Sequence, residues 1–199
     1  MSTEDLAVVS LHLQNFTLDP QGAIGDNGSA RHAREQNLVE NVATLFAAAR
    51  SRDVPIFHIA CGFDEAYTGI NPYMPIFTGL QQRGEMKIGS WGVEFFPAIK
   101  PEAVDTTIYH AGLSPFAGTT LDKILTGRRI RRLLVFGIST RWVVEAAVFD
   151  ACDRGYGVTV VSDCSAAADE GLQREAVVAL RNFATVADTR TVVSTVLAG

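Results

Sequence analysis

The chain reads as an α/β protein, a three-layer α-β-α arrangement around a mostly parallel sheet. Three observations predict this class. Short apolar runs of strand length recur at residues 6–13, 54–60, 106–110, 133–136 and 158–161. Stretches with apolar residues at helical spacing stand between several of them. The connections are long enough for crossovers, which parallel neighbours need and hairpins do not.

Residues 6–13 form a continuous apolar run apart from Ser10 and His12, as expected of a buried strand, and lead into Gln14, Asn15 and Phe16. Residues 17–34 contain Pro20, Gly22, Gly25 and Gly28 and few large apolar side chains, so a loop is expected there. From 35 to 52, Leu38, Val42, Leu45, Phe46 and Ala49 draw one face of an amphipathic helix. Asp53 breaks to the second strand, 54–60. Residues 62–104 hold Pro72, Pro75, Pro97 and Pro101 with several glycines and no long period. An insertion of that length is expected to serve as a lid or a subunit contact. A third strand at 106–110 precedes a helix over 119–125, with Thr119 as its N-cap and Asp122 three residues on. Leu133 to Phe136 is the next strand, ended by Gly137. Ser139 or Thr140 is expected to cap the helix on which Val143, Ala146, Ala147, Val148 and Ala151 recur. Gly155 closes it and 158–161 is a further strand. A helix over 169–183, a short strand at 185–187 and a last helix capped by Asp188 or Thr189 complete the chain.

A length of 199 residues with 47% hydrophobic side chains suits one domain, 1–199, with a sizeable core. The net charge of −5 argues against nucleic acid or an anionic membrane as partner. Arg128, Arg129, Arg131 and Arg132 make one basic cluster, which fits a solvated connection or an anion or subunit contact. Cys61, Cys152 and Cys164 are odd in number and widely spaced, as expected of reduced thiols in a cytoplasmic protein. The first five residues lack the regions of a signal peptide, and no apolar run reaches membrane-spanning length.

The order and spacing of five segments resemble the isochorismatase-like cysteine hydrolases, the superfamily that includes nicotinamidases. They are residues 8–16 (VVSLHLQNF), 89–92 (GSWG), 109–122 (YHAGLSPFAGTTLD), 137–144 (GISTRWVV) and 155–166 (GYGVTVVSDCSA). The resemblance implies that family's hydrolase fold, a small-molecule substrate and homo-oligomeric assembly. It also implies an aspartate, a lysine and a cysteine. Those positions are occupied by His12, His110 and Val143. Valine has no nucleophilic atom, so thiolate acyl transfer at 143 is excluded. The three cysteines of the chain stand elsewhere and are expected to be small core residues.

What the resemblance leaves is a pocket. Main-chain N–H groups of Ile138, Ser139 and Val143 match the family's oxyanion donors, after a peptide that is cis in the family. His12 and His110 are expected at the ends of neighbouring strands, facing one cavity. Two imidazoles close together resist double protonation, so one neutral and one charged ring are expected near neutral pH, an acid–base pair. Two hydrogen-bonded histidines in a retired site is the other reading. Arg141 is a candidate clamp for a substrate carboxylate or a subunit contact. Trp91, Phe95, Phe96, Phe116 and Trp142 are candidate aromatic walls, with ordinary packing expected to account for at least half of them. His58 lacks the Asp-x-His segment of a nicotinamidase-type metal site and is expected in the core; His32 is expected in solvent. No metal or cofactor is expected. The functional expectation is a hydrolase or lyase working by histidine acid–base chemistry, or else an inactive relative that binds small molecules or builds an oligomer.

Overall fold

In the computed structural model, residues 3–24 and 28–198 are described. Six parallel strands make one sheet in the order β3-β2-β1-β4-β5-β6: β1 is Leu6–Leu11, β2 Ile56–Cys61, β3 Thr106–His110, β4 Arg132–Gly137, β5 Gly157–Val161 and β6 Thr185–Ala187. The two central strands run from Leu6↔Arg132 to Leu11↔Gly137. Because side chains alternate across a pleated strand, each strand feeds two cores. Leu6, Val8, Leu134 and Phe136 face α3 (Leu38–Arg50) through Val42, Leu45, Phe46 and Ala49. Ala7, Val9, Leu11, Leu133 and Val135 face α5 (Leu121–Gly127) and α6 (Glu145–Asp153). That two-sided burial makes the strands read as unbroken apolar runs.

Several elements differ from expectation. The stretch 17–34 is not all loop: α1 (Asn15–Leu18) overlaps its start and α2 (Gly28–Glu35) occupies its end. The helical face of α2 is made of small residues, Ala30 and Ala33, both buried, which carry little signal in a sequence. It also buries His32, expected in solvent, at 7% exposure. Asn37, in the left-handed region at φ 55°, separates α2 from α3. The Gly25 of the expected loop lies outside the described residues. The first strand stops at Leu11 because His12 turns to φ 55° and leaves the extended region.

Residues 62–104 form a third small core, with Phe63, Tyr67, Phe77, Leu80, Met86 and Val93 packed against Phe16 and Cys61. Within it α4 (Pro75–Arg83) begins on a proline, whose missing N–H costs nothing at a helix start. After β5, α7 (Glu170–Leu180) is capped by Asp169, which accepts from Leu172 N–H at 2.8 Å. Asp188 caps α8 (Thr189–Thr191) in the same way, and a π-helical turn, Val192–Val196, continues it. No described helix is long and apolar enough to cross a membrane.

Candidate active site

After β1 the chain moves to β2 on one side, and after β4 to β5 on the other. The crevice beyond the carboxyl ends of β1 and β4 is therefore the switch point, where open parallel sheets leave room for a ligand. Gly137 closes β4 there at φ 146°, and a Cβ on it would stand 2.1 Å from the Leu11 carbonyl oxygen. Only glycine fits so close an approach. His12 follows β1 directly, its N–H held by Ile59 O at 2.9 Å and its carbonyl by Thr17 Oγ1 at 2.7 Å. His110 ends β3, in register with Cys61 at the end of β2; β2 lies between β1 and β3, so the two histidines do not end neighbouring strands as expected.

The two histidines meet. His12 Nε2 lies 2.6 Å from His110 Nε2, with the ring centroids 4.9 Å apart and the planes tilted by 51°. His110 Nδ1 is 3.2 Å from Ser114 O. A carbonyl only accepts, so Nδ1 of His110 carries its hydrogen, and Nε2 of the neutral ring offers a lone pair. His12 Nε2–H donates to that lone pair. His12 Nδ1 is left as an acceptor with no protein partner among the described residues. Burial pulls the His110 pKa down to about 4, against the Ser114 carbonyl, which favours the proton. His12 is lowered well below 6.5 by burial and by His110 beside it. Both rings are neutral near neutral pH, in place of the expected one neutral and one charged, because desolvation disfavours a charge on either ring and each would repel a charge on the other.

A second chain of polar groups resembles a triad without being open to a ligand. Ser10 Oγ donates to His58 Nδ1 at 3.1 Å, and His58 Nε2 faces Asp105 Oδ2 at 3.2 Å. Ser10 and His58 are 1% and 0% exposed, which places His58 in the core. Burial takes the His58 pKa to about 4 despite Asp105, whose carboxylate is also held by Arg50 Nη2 at 2.5 Å. Among the described residues, no three His, Cys, Asp or Glu side chains converge as metal ligands.

The turn after β4 holds the cis peptide Ile138–Ser139 and continues into a π-helical turn, Thr140–Val144. Of the three expected oxyanion donors, two are spent within the protein. Ile138 N–H donates to Leu11 O and Val143 N–H to Ser139 O, both at 3.1 Å. Ser139 N–H has no acceptor among the described residues. The side chains of Ser139 and Thr140 do not cap this helix. Thr140 Oγ1 donates to Gln173 Oε1 at 2.7 Å, while the hydroxyl of Ser139, a residue that lines the cavity, has no protein partner among the described residues.

That cavity measures about 360 Å³. His12, Ile138, Ser139, Arg141 and Val143 all line it; His110 stands behind His12 and does not. Neither Trp91 nor Phe116 lines it. Phe116 is buried in the core beside α5, stacked on Tyr156 at 6.0 Å between ring centroids, with the Arg154 guanidinium over its ring at 5.0 Å from the centroid. Trp91 is half-exposed, and its carbonyl accepts from Asn15 Nδ2 at 2.9 Å. Of the five expected aromatics Trp142 does line it, and Phe95 and Phe96 do not; the other aromatic walls are Phe16 and Phe77. Phe77, Leu80 and Met86 come from the aperiodic mid-chain segment, where no pattern marked them. Gln14, also on the wall, is fully occupied: its amide spans Cys61 N and O and Val93 O at 2.8 to 2.9 Å. Cys61, expected to be only a core residue, reaches the cavity, but burial raises its thiol to about 12 and keeps it protonated.

The isochorismatase domain family matches residues 7–191. The ureidoacrylate amidohydrolase RutB of Enterobacter sp. (strain 638) is 28% identical over 199 residues, covering 92% of this chain and 86% of that one. Its counterpart from Variovorax paradoxus (strain S110) is 26% identical, covering 83% and 70%. Among solved structures, a cysteine hydrolase from Pseudomonas syringae pv. phaseolicola 1448A superposes with a TM-score of 0.87 at 21% identity, over 98% of this chain and 93% of that one. An isochorismatase family protein from Desulfovibrio vulgaris subsp. vulgaris str. Hildenborough gives 0.85 at 23%, over 98% and 99%.

Proposed function

Since the chain belongs to the isochorismatase family, we propose that it is a small-molecule hydrolase or lyase working without a cysteine nucleophile, with His12 as its general base. The observation that carries this is the 2.6 Å Nε2–Nε2 contact, anchored behind by Ser114 O, which leaves Nδ1 of His12, a residue that lines the cavity, without a protein partner among the described residues. A neutral imidazole is competent as a base; as an acid it would first have to become an imidazolium where burial disfavours charge. In hydrolysis, Nδ1 takes a proton from water as the water oxygen bonds to a carbonyl carbon. Ser139 N–H donates to the oxyanion, and His12 returns the proton to the leaving nitrogen or oxygen. His110 accepts from Nε2–H throughout and steadies the transient imidazolium, so it is a positioning residue.

The test is a screen of small amides, ureides, esters and vinyl ethers against wild type, His12→Gln and His110→Gln. His12→Gln should lower turnover by about 10²–10⁴-fold, and iodoacetamide should leave wild type unaffected. Equal turnover by wild type and His12→Gln ends the reading. The second reading, a pocket that binds without turning its ligand over, is favoured by Val143 at the position of the family's thiol. It predicts no turnover of any compound that binds. We also propose a homo-oligomer in a reducing compartment, supported by three unpaired thiols and by the half-exposed Phe149–Phe183 pair, 5.0 Å apart, on the outer helical layer.

A further inference from the structure

We infer that the cavity takes an amphipathic monoanion, a small molecule with one carboxylate and an apolar body about the size of an aromatic ring. The inference rests on the proposed site for its location only, since the ligand class is read from the walls and not from His12. Phe16, Phe77, Leu80, Met86, Leu113 and Trp142 face the space from separate parts of the chain. Among the described residues, no aspartate or glutamate lines it, and its one permanently charged side chain is Arg141. With the His12 imidazole neutral, no other lining group among these supplies a full charge.

The guanidinium of Arg141 is loosely engaged. Its distances are 3.6 Å to Glu145 and 4.0 Å to Glu175, beyond the range of a charge-assisted hydrogen bond. Arg50 and Arg154, by contrast, are tightly paired with Glu102 and Asp150, both at 2.6 Å, whereas the loose pairs Arg31–Glu35 and Arg174–Glu170, both at 3.9 Å, lie away from the cavity. Arg141 therefore keeps planar N–H donors for a carboxylate, the geometry that arginine serves better than lysine. Around the opening, Ile76, Trp142 and Leu172 are 40%, 55% and 36% exposed. Three apolar side chains from three elements wet at one rim gain by contact with an apolar ligand body. A wholly polar ligand would leave that rim and the walls behind it without a partner. A cavity of about 360 Å³ is at the small end for ligand sites, which excludes nucleotide-sized molecules.

Isothermal titration calorimetry on the full chain tests this with phenylacetate, its neutral isostere phenylacetamide, and acetate. Phenylacetate should bind at least about tenfold more tightly than either of the others. Arg141→Met should weaken phenylacetate by about tenfold and leave phenylacetamide unchanged, while Ile76→Glu, at the exposed rim, should weaken phenylacetate by repulsion. Equal binding of phenylacetate and phenylacetamide, or no effect of Arg141→Met, overturns the anionic half. Acetate binding as tightly as phenylacetate overturns the apolar half, and no binding of phenylacetate overturns the whole. Calorimetric binding requires no turnover, so this result and the His12→Gln result fail independently.

Discussion

Lowering the pH from about 7.5 to about 5.5 should destabilise this protein well before its carboxylates protonate. His58 and His110 are neutral in the fold, each with a pKa of about 4, against 6.5 for the unreacted side chain. As pH falls through 6.5 the unfolded chain takes up protons that the folded chain refuses. Stability is therefore full above 6.5 and is lost progressively below it, until the folded form itself protonates near 4. At pH 5.5 the loss is about 1.4 kcal/mol for each histidine, and about 3 kcal/mol for the two. His12 is shifted in the same direction and adds to the loss. Asp5, Asp105 and Asp188 have lowered pKa values, so what they contribute is lost only below their ordinary 3.8. Glu145, raised by burial, acts in the opposite sense and only near its own carboxylate range. Urea unfolding at the two pH values measures the difference directly. His110→Gln should be less stable at both, through its lost contacts, yet its pH-dependent loss should shrink by about 1.4 kcal/mol. A wild type equally stable at both pH values, or a His110→Gln protein with the undiminished loss, refutes the reasoning.

Two substitutions test how the site is held. Gly137→Ala puts a methyl group 2.1 Å from Leu11 O, between the two central strands. It should cost more than about 2 kcal/mol by urea unfolding, and a fully stable variant would mean that the strand ends can part freely. Gln14→Leu strips partners from Cys61 N, Cys61 O and Val93 O, all within the protein. At about 1–3 kcal/mol for each buried group left unpaired, the loss should be at least about 3 kcal/mol; a loss below about 1 kcal/mol would show that water replaces the amide.

The fold was legible because its signal is two-sided burial, which writes strands as apolar runs and helices as periodic faces. Where burial is done by small residues, as with Ala30 and Ala33 of α2, the same physics leaves no mark and a loop is expected. The histidine pair was legible through its place at two strand ends, but its charge was not. Whether a pair holds a proton depends on how much water reaches it, and that is set by the packing of the whole cap. Ser139 shows the complementary failure. A serine before a helix is most simply a cap, yet the turn is π-helical and the Ser139 backbone carbonyl takes three N–H groups while its hydroxyl has no protein partner among the described residues. Trp91 and Phe116 lie within the segments that carry the family resemblance, but their place in the sequence did not decide which way their rings turned. The mid-chain residues that do wall the cavity sit in a segment with no period, so only the folded cap reveals them.

His12 and His110 also suggest that the two positions change together. The family resemblance expects a carboxylate and an ammonium there, an ion pair with no net charge, and the chain has two neutral imidazoles, again with no net charge. Either exchange alone alters the balance in a site that water scarcely reaches. His110→Lys by itself sets a buried ammonium against a neutral ring, and an uncompensated buried charge costs about 3–5 kcal/mol. His12→Asp by itself places a carboxylate against His110, which must take up a proton against its own desolvation. In the double variant, carboxylate and ammonium compensate each other across the 2.6 Å gap that the rings now share. A double-mutant cycle should therefore show the pair more stable than the sum of the single changes by about 2 kcal/mol. Additivity within about 0.5 kcal/mol would mean that the two side chains do not feel one another's charge. The contact between the rings would then be a matter of packing alone, with no bearing on how protons move in the cavity.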